Sequence, residues 1–167
     1  ECIFTRKNMT ISKAGMDPGS LVYIGDPKTE RVQIDFLHYT AEHLQETNDI
    51  SLSEIQPSLK KEGVNWICIS GVHDVDVVRE IGNQFNIHPL LLEDIMNTNG
   101  RPKFELENNC AFICGKMMEP VDKRGALPEQ FSIVISGNTL LLFQQDKGDT
   151  FDQLRERIRL GRGKIRL

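Results

Sequence analysis

The sequence predicts an α/β sandwich built on a mixed sheet. Three observations carry this. Strand-like and helical segments alternate irregularly rather than as strict βαβ units. Four strand-like segments follow one another late in the chain, which favours antiparallel pairing there. Between the last two, Gly137-Asn138 is a two-residue hairpin signal.

Residues 1–19 read as an N-terminal extension, partly loop, with Asp17-Pro18-Gly19 as a turn. Strand-like segments follow at Leu21–Gly25 and Arg31–His38. In the second, Val32, Ile34 and Phe36 alternate with Gln33 and Asp35, the pattern of a half-buried strand. Residues 41–60 read as weakly helical, and Val64–Ser70 as a more buried strand. Val75, Val78, Ile81 and Phe85 share one face of an amphipathic helix, opposite Asp76, Arg79, Glu80 and Asn83. Asp74 is placed to cap it. A second helix is predicted from Pro89 to about Asn97. Proline suits its first turn, and Asn99-Gly100 followed by Pro102 suits its end. The late strands are Phe104–Leu106, Cys110–Met118, Gln130–Ser136 and Thr139–Gln145. Thr150-x-x-Gln153 resembles a capping box before a final helix, which starts in aspartates and ends in arginines.

The chain has 167 residues, 39% of them hydrophobic and 26% charged, the balance of one ordinary globular domain. Its longest unbroken apolar run, Cys110–Cys114, is far short of the roughly 20 residues a membrane helix needs. No signal peptide is visible. Glu1 in place of Met points to a piece of a longer protein. The net charge of −4 is uneven. Residues 155–166 hold six cations against one carboxylate, a net +5, leaving −9 for the rest. That tail suits phosphates, lipid headgroups or partner carboxylates, but it lacks the aromatic residues that stack bases. Cys2, Cys68, Cys110 and Cys114 form no zinc-ligand spacing and read as small buried hydrophobes in a reducing compartment.

No nucleophile elbow, phosphate loop or zinc-protease motif is present. Two acidic clusters remain. In His73-Asp74-Val75-Asp76, His73 is either a ligand or part of a turn. In the 89–97 helix, Leu91, Leu92, Ile95 and Met96 share one arc. Glu93, Asp94 and Asn97 lie on the other, with Leu90 among them. This outer arc reads either as a solvated face or as half of a site for a hard cation such as Mg²⁺ or Ca²⁺. As a site it needs a further acidic group from elsewhere.

Ile87-His88-Pro89-Leu90-Leu91-Leu92-Glu93-Asp94-Ile95, followed by Arg101-Pro102-Lys103, resembles the signature of the cytoplasmic domain of CorA-type magnesium transporters. Pro18–Gly25, Trp66-Ile67, Gly71-Val72-His73, Glu129–Ser132, Leu142–Gln144, Gly148–Asp152 and Arg155–Arg159 extend the resemblance over residues 16–167. It implies an α/β/α sandwich with a mixed, largely antiparallel central sheet flanked by helices, spanning residues 20–160. Residues 161–167 would begin a truncated stalk helix. It further implies a Mg²⁺-sensing regulatory domain, not an enzyme, on the cytoplasmic face of the inner or plasma membrane. The whole transporter would be a homopentamer carrying magnesium and cobalt. Asp94 matches the family's main regulatory metal ligand, and Glu93 beside it is a second-site ligand. Partner carboxylates would come from a neighbouring subunit's stalk, so Mg²⁺ or Co²⁺ should bind weakly or not at all to this chain alone. The stalk, the membrane helices and the pore's Gly-Met-Asn are absent from the 167 residues.

Three rivals remain. One is the zinc-transporting branch of the same superfamily. Another is a soluble metal-dependent hydrolase using Glu93, Asp94 and His73, against which no nucleophile or general-base frame accompanies the carboxylates. The third, a nucleic-acid module on residues 155–166, fails on charge and aromatic content. Neither a nucleic-acid partner nor a small-molecule substrate is expected.

Overall fold

A computed structural model describes residues 17, 20–25, 29, 31–107, 110–121, 125–148 and 150–166. The strands are β1 (Gln33–Tyr39), β2 (Leu44–Thr47), β3 (Val64–Ser70), β4 (Lys103–Glu107), β5 (Cys110–Val121), β6 (Gly125–Ser136) and β7 (Thr139–Gln144). The helices are α1 (Leu52–Ser58), α2 (Val75–Gln84), α3 (Pro89–Met96) and α4 (Asp152–Arg159). All seven strands join one sheet in the order β2-β1-β3-β7-β6-β5-β4. Every neighbouring pair is antiparallel except β3 and β7. The sheet is therefore mixed and largely antiparallel, as predicted.

The period of two along each central strand divides the apolar residues between two cores. Ile34 and Phe36 of β1, Ile67 and Ile69 of β3, and Leu141 and Phe143 of β7 face α1, α2 and α3. There they meet Ile55, Val78, Ile81, Leu91, Leu92, Ile95 and Met96. The alternate residues Leu37, Trp66, Cys68 and Leu142 face α4 and pack with Ile158. Helices thus cover both faces, and the layers are α/β/α.

Local chemistry accounts for the helix ends. Asp74 Oδ1 accepts from the N–H groups of Asp76 (3.0 Å) and Val77 (3.1 Å), the expected N-cap of α2. At α1, Glu54 Oε2 accepts from the backbone N–H (2.7 Å) and hydroxyl (2.6 Å) of Ser51. The hairpin turn at 137–138 is present, with Gly137 at φ +56°. Beyond closing the turn, Asn138 Nδ2 donates to the carbonyls of Lys60, Lys61 and Gly63 at 3.0–3.1 Å, anchoring the loop before β3.

Four expectations are corrected. Residues 41–60 are not one weak helix. Leu44–Thr47 pairs with β1 as an edge strand, and only Leu52–Ser58 is helical. Propensity is a weak prior, and edge pairing overrides it there. Leu21–Gly25 is not a sheet strand. Among the described residues its strand-type pairing is the isolated bridge from Ile24 to Asn97 at the end of α3. The late strands β5 and β6 extend past the predicted bounds into a long ribbon, Cys110–Val121 against Gly125–Ser136. Finally, α4 starts after Phe151 with no side-chain cap. Phe151 is drawn edge-on into Trp66 (centroids 6.4 Å apart) and Phe131 (6.0 Å), so ring packing sets this helix start. Residues 160–166 are mostly turns, with Gly161 at φ +58° and Gly163 at φ +71°.

Of the cysteines, Cys68 and Cys114 are buried as predicted and Cys110 is half-buried. Burial pushes the Cys68 thiol up to about 11, against the pull of the nearby Arg155. Cys2 lies outside the described residues.

Candidate functional site

Helix α3 carries the predicted carboxylates, and its sequence sets their direction. His88 is its N-cap, Nδ1 accepting from the Leu90 N–H at 3.2 Å, and Pro89 opens the first turn. Leu91, Leu92, Ile95 and Met96 are 3%, 4%, 1% and 0% exposed, while Leu90 is 47% exposed. This is the division the helical wheel predicts. Glu93, Asp94 and Asn97 are half-buried on the outer arc.

The end of α3 is held on three sides. Gln130 of β6, 2% exposed, donates from Nε2 to the carbonyls of Asp94 (3.0 Å) and Ile95 (3.4 Å). Lys116 of β5 donates to the Thr98 carbonyl and to Gln130 Oε1 (3.2 Å). Ile24 N–H donates to the Met96 carbonyl (3.0 Å), and its own carbonyl accepts from Thr98 N–H and Oγ1. The last carbonyls of a helix have no partner within it, and these contacts supply several. They fix the backbone beneath Asp94. Burial lowers the Lys116 pKa.

The Asp94 side chain meets Lys103 at the start of edge strand β4. Lys103 Nζ donates to Asp94 Oδ2 and, at 3.0 Å, to Glu105 Oε1. Below it lies the Phe112 ring, with Nζ 5.5 Å from the centroid. Lys103 and Glu105 are two apart on a strand and therefore share a face. Partial burial acts to lower the Lys103 pKa. The hydrogen bonds to Asp94 and Glu105 outweigh it, and the net shift is upward. Both partners of the Asp94–Lys103 pair are about a third exposed (33% and 31%), so solvent screens it.

Carboxylate oxygens suit a hard divalent cation, but two adjacent residues do not complete its shell. Among the described residues, no group of three or more His, Cys, Asp or Glu side chains is placed to hold a metal ion. The chain supplies at most part of such a site. His73 does not join Glu93 and Asp94. It sits before α2, its ring edge-on to Tyr23 at 6.4 Å. The arrangement proposed for a hydrolase is therefore not assembled.

Three of the six cations in the basic segment make contacts within the domain. Arg155, 12% exposed, donates to Asp152 Oδ1 (2.9 Å) and Cys68 Sγ (3.0 Å) and lies over Trp66. Arg159 makes two bonds to Glu46, at 2.6 and 2.9 Å. Arg166 bonds the carbonyls of Ile158 and Arg159. Nearby, burial acts to raise the Asp35 pKa, but the Asp49 N–H, the Gln33 amide and Lys147 outweigh it. They hold the carboxyl below its ordinary 3.8. A lowered folded pKa means stability that is present above the unfolded value and lost as pH falls through the folded one. Below about pH 4, Asp35→Asn should therefore flatten the fall in urea midpoint. An unchanged acid slope would refute this role.

A seven-stranded sheet between helical layers, with two adjacent carboxylates on the outer arc of a short helix, defines an α/β/α domain. The chain belongs to the CorA-like Mg²⁺ transporter family, whose model matches residues 61–166. It is 40% identical over 156 residues to the cobalt/magnesium transport protein CorA of Thermotoga maritima, covering 93% of this chain and 44% of that protein. The chain thus spans less than half the length of the curated relative it matches. Among solved structures, the soluble domain of CorA from Methanocaldococcus jannaschii superposes with a TM-score of 0.53 at 17% identity, covering 80% of this chain and 48% of that one. The ZntB cytoplasmic domain from Vibrio parahaemolyticus gives 0.59 at 9% identity, covering 78% and 51%. At these identities the two structures share the fold. The family is one of transporters, not enzymes. Among the described residues no helix is long and apolar enough to cross a membrane.

Sequence patterns do not mark Lys103, Lys116 and Gln130 as site residues. Each lies within or beside a strand segment that sequence reading recognises, and Lys103 closes the Arg-Pro-Lys motif. Their meeting at α3 depends on the sheet order, which local patterns do not report.

Proposed function

We propose that this chain is the Mg²⁺-sensing cytoplasmic domain of a CorA-like transporter of divalent cations, magnesium and cobalt among them. The observation that carries the reading is Asp94. It is a carboxylate about one-third exposed, next to Glu93, on a helix whose backbone is braced while, among the described residues, its side chain bonds a solvent-screened ammonium. Such a group can exchange its partner without disturbing the core.

In this reading Asp94 and Glu93 face carboxylates of a neighbouring subunit in a homopentamer. Without a cation, these acids repel. Mg²⁺ neutralises them, keeping several of its waters, and favours the closed arrangement. Loss of the cation releases it. The shift is bounded by the cation's differential affinity for the two states. The 40% identity to a cobalt/magnesium transport protein favours this over the zinc branch.

The test is Asp94→Asn in the full-length protein, read by limited proteolysis across a Mg²⁺ titration. Protection should be lost or need at least about tenfold more Mg²⁺, the consequence of about 1.4 kcal/mol. Protection at an unchanged Mg²⁺ concentration would remove Asp94 from sensing.

A further inference from the structure

We propose that Lys103 is a built-in competitor of the sensed cation, seated on Asp94 when no metal is bound and thereby setting the concentration at which metal is taken up. The inference rests on the reading of Asp94 as a metal ligand and deepens it.

Three features converge on the Lys103 ammonium. Asp94 and Glu105 both accept from it, and the Phe112 ring lies 5.5 Å away. A divalent cation that takes Asp94 Oδ2 must displace this ammonium, and one that takes the other oxygen is repelled by it, so the two cations compete for one carboxylate. Glu105 makes the exchange inexpensive. It lies two residues along the same strand face and already accepts a hydrogen bond from Nζ, so the displaced ammonium keeps a carboxylate partner. The Asp94 backbone need not move, since Gln130 and Lys116 hold the end of α3. The device is a swap of cations over one oxygen. The helix and strand beneath stay in place.

Competition has a definite sign. Lys103→Met keeps the length and apolarity of the stem but removes the charge, so Mg²⁺ should be sensed at lower concentration. The expected change is a two- to fivefold fall in the midpoint of Mg²⁺-dependent protease protection, about what a partly exposed ion pair is worth. Lys103→Arg keeps the charge and should stay within about twofold of the parent.

The experiment titrates MgCl₂ against proteolysis of the full-length parent, Lys103→Met, Lys103→Arg and Asp94→Asn proteins. Circular dichroism without Mg²⁺ establishes folding, and Lys103→Gln replaces Lys103→Met if the latter does not fold. A lower midpoint for the neutral variant, with Asp94→Asn unresponsive or shifted at least about tenfold upward, supports the proposal. An unchanged or higher midpoint for the neutral variant, with Asp94→Asn unresponsive or shifted at least about tenfold upward, overturns the competitor role and leaves Asp94 as sensor. A parental response from Asp94→Asn overturns both.

Discussion

Phe112→Ala should cost the 167-residue chain about 3–5 kcal/mol, the usual range for removing a buried aromatic ring. Phe112 is fully buried near the start of β5, paired across to Glu105 on β4 and Val134 on β6. It belongs to the core that α1, α2 and α3 close over. Truncation leaves a cavity that strands paired on both sides cannot collapse to fill. The same change removes the ring beneath the Lys103 ammonium. Urea unfolding should show a lower midpoint at unchanged slope, since the surface exposed on unfolding hardly changes. Phe112→Leu should cost less than half as much, because most of the volume is kept. A loss below about 1 kcal/mol for the alanine variant would mean that the site relaxes freely, contrary to the close packing of protein cores.

The second large effect lies where α2 crosses α3. A methyl group added at Gly82 would sit 2.3 Å from Leu92 Cδ1 and 3.0 Å from Cδ2. In an exposed helix, replacing glycine stabilises by up to about 1 kcal/mol. Here overpacking reverses the sign, and Gly82→Val should destabilise by about 1–3 kcal/mol. Leu92 is 4% exposed and cannot swing clear. The coupling is the sharper test. Leu92→Ala alone should cost about 2–5 kcal/mol. In the double variant the valine fills part of the space vacated, so the combined loss should fall short of the sum by more than about 1 kcal/mol. Strict additivity would show that the two helices do not meet at this point. Because Asp94 rides on α3 two residues after Leu92, the distance between the helices also bears on the sensing site.

Much of this fold was legible in residue order. Trp66-Ile67-Cys68-Ile69 announced a strand buried on both faces, and the spacing of Val75, Val78 and Ile81 announced α2. The outward arc of Glu93, Asp94 and Asn97 followed from 100° per residue and four apolar neighbours. The misreadings share a cause. Leu44–Thr47 is polar and short, and becomes a strand only because the free edge of β1 lies beside it. Leu21–Gly25 carries strand-like residues but meets the end of α3 instead of a sheet edge. Phe151 displaces the expected cap because two aromatic rings from other strands wait for it.

The same division runs through the site. Periodicity, capping and the identity of the two carboxylates are written within a dozen residues, since each depends on neighbours one helical turn away. Family membership too is carried by short motifs in order. The partner of Asp94 is not local in that sense. Lys103 lies nine residues on, across a loop; Glu105 stands beside it on β4, and Phe112 reaches it through the pairing of β4 with β5. Gln130 arrives from 36 residues away. Electrostatic and hydrogen-bond energies act over a few ångströms in space, whatever the separation along the chain. The order of residues therefore names the acids, and the sheet selects the cation that answers them.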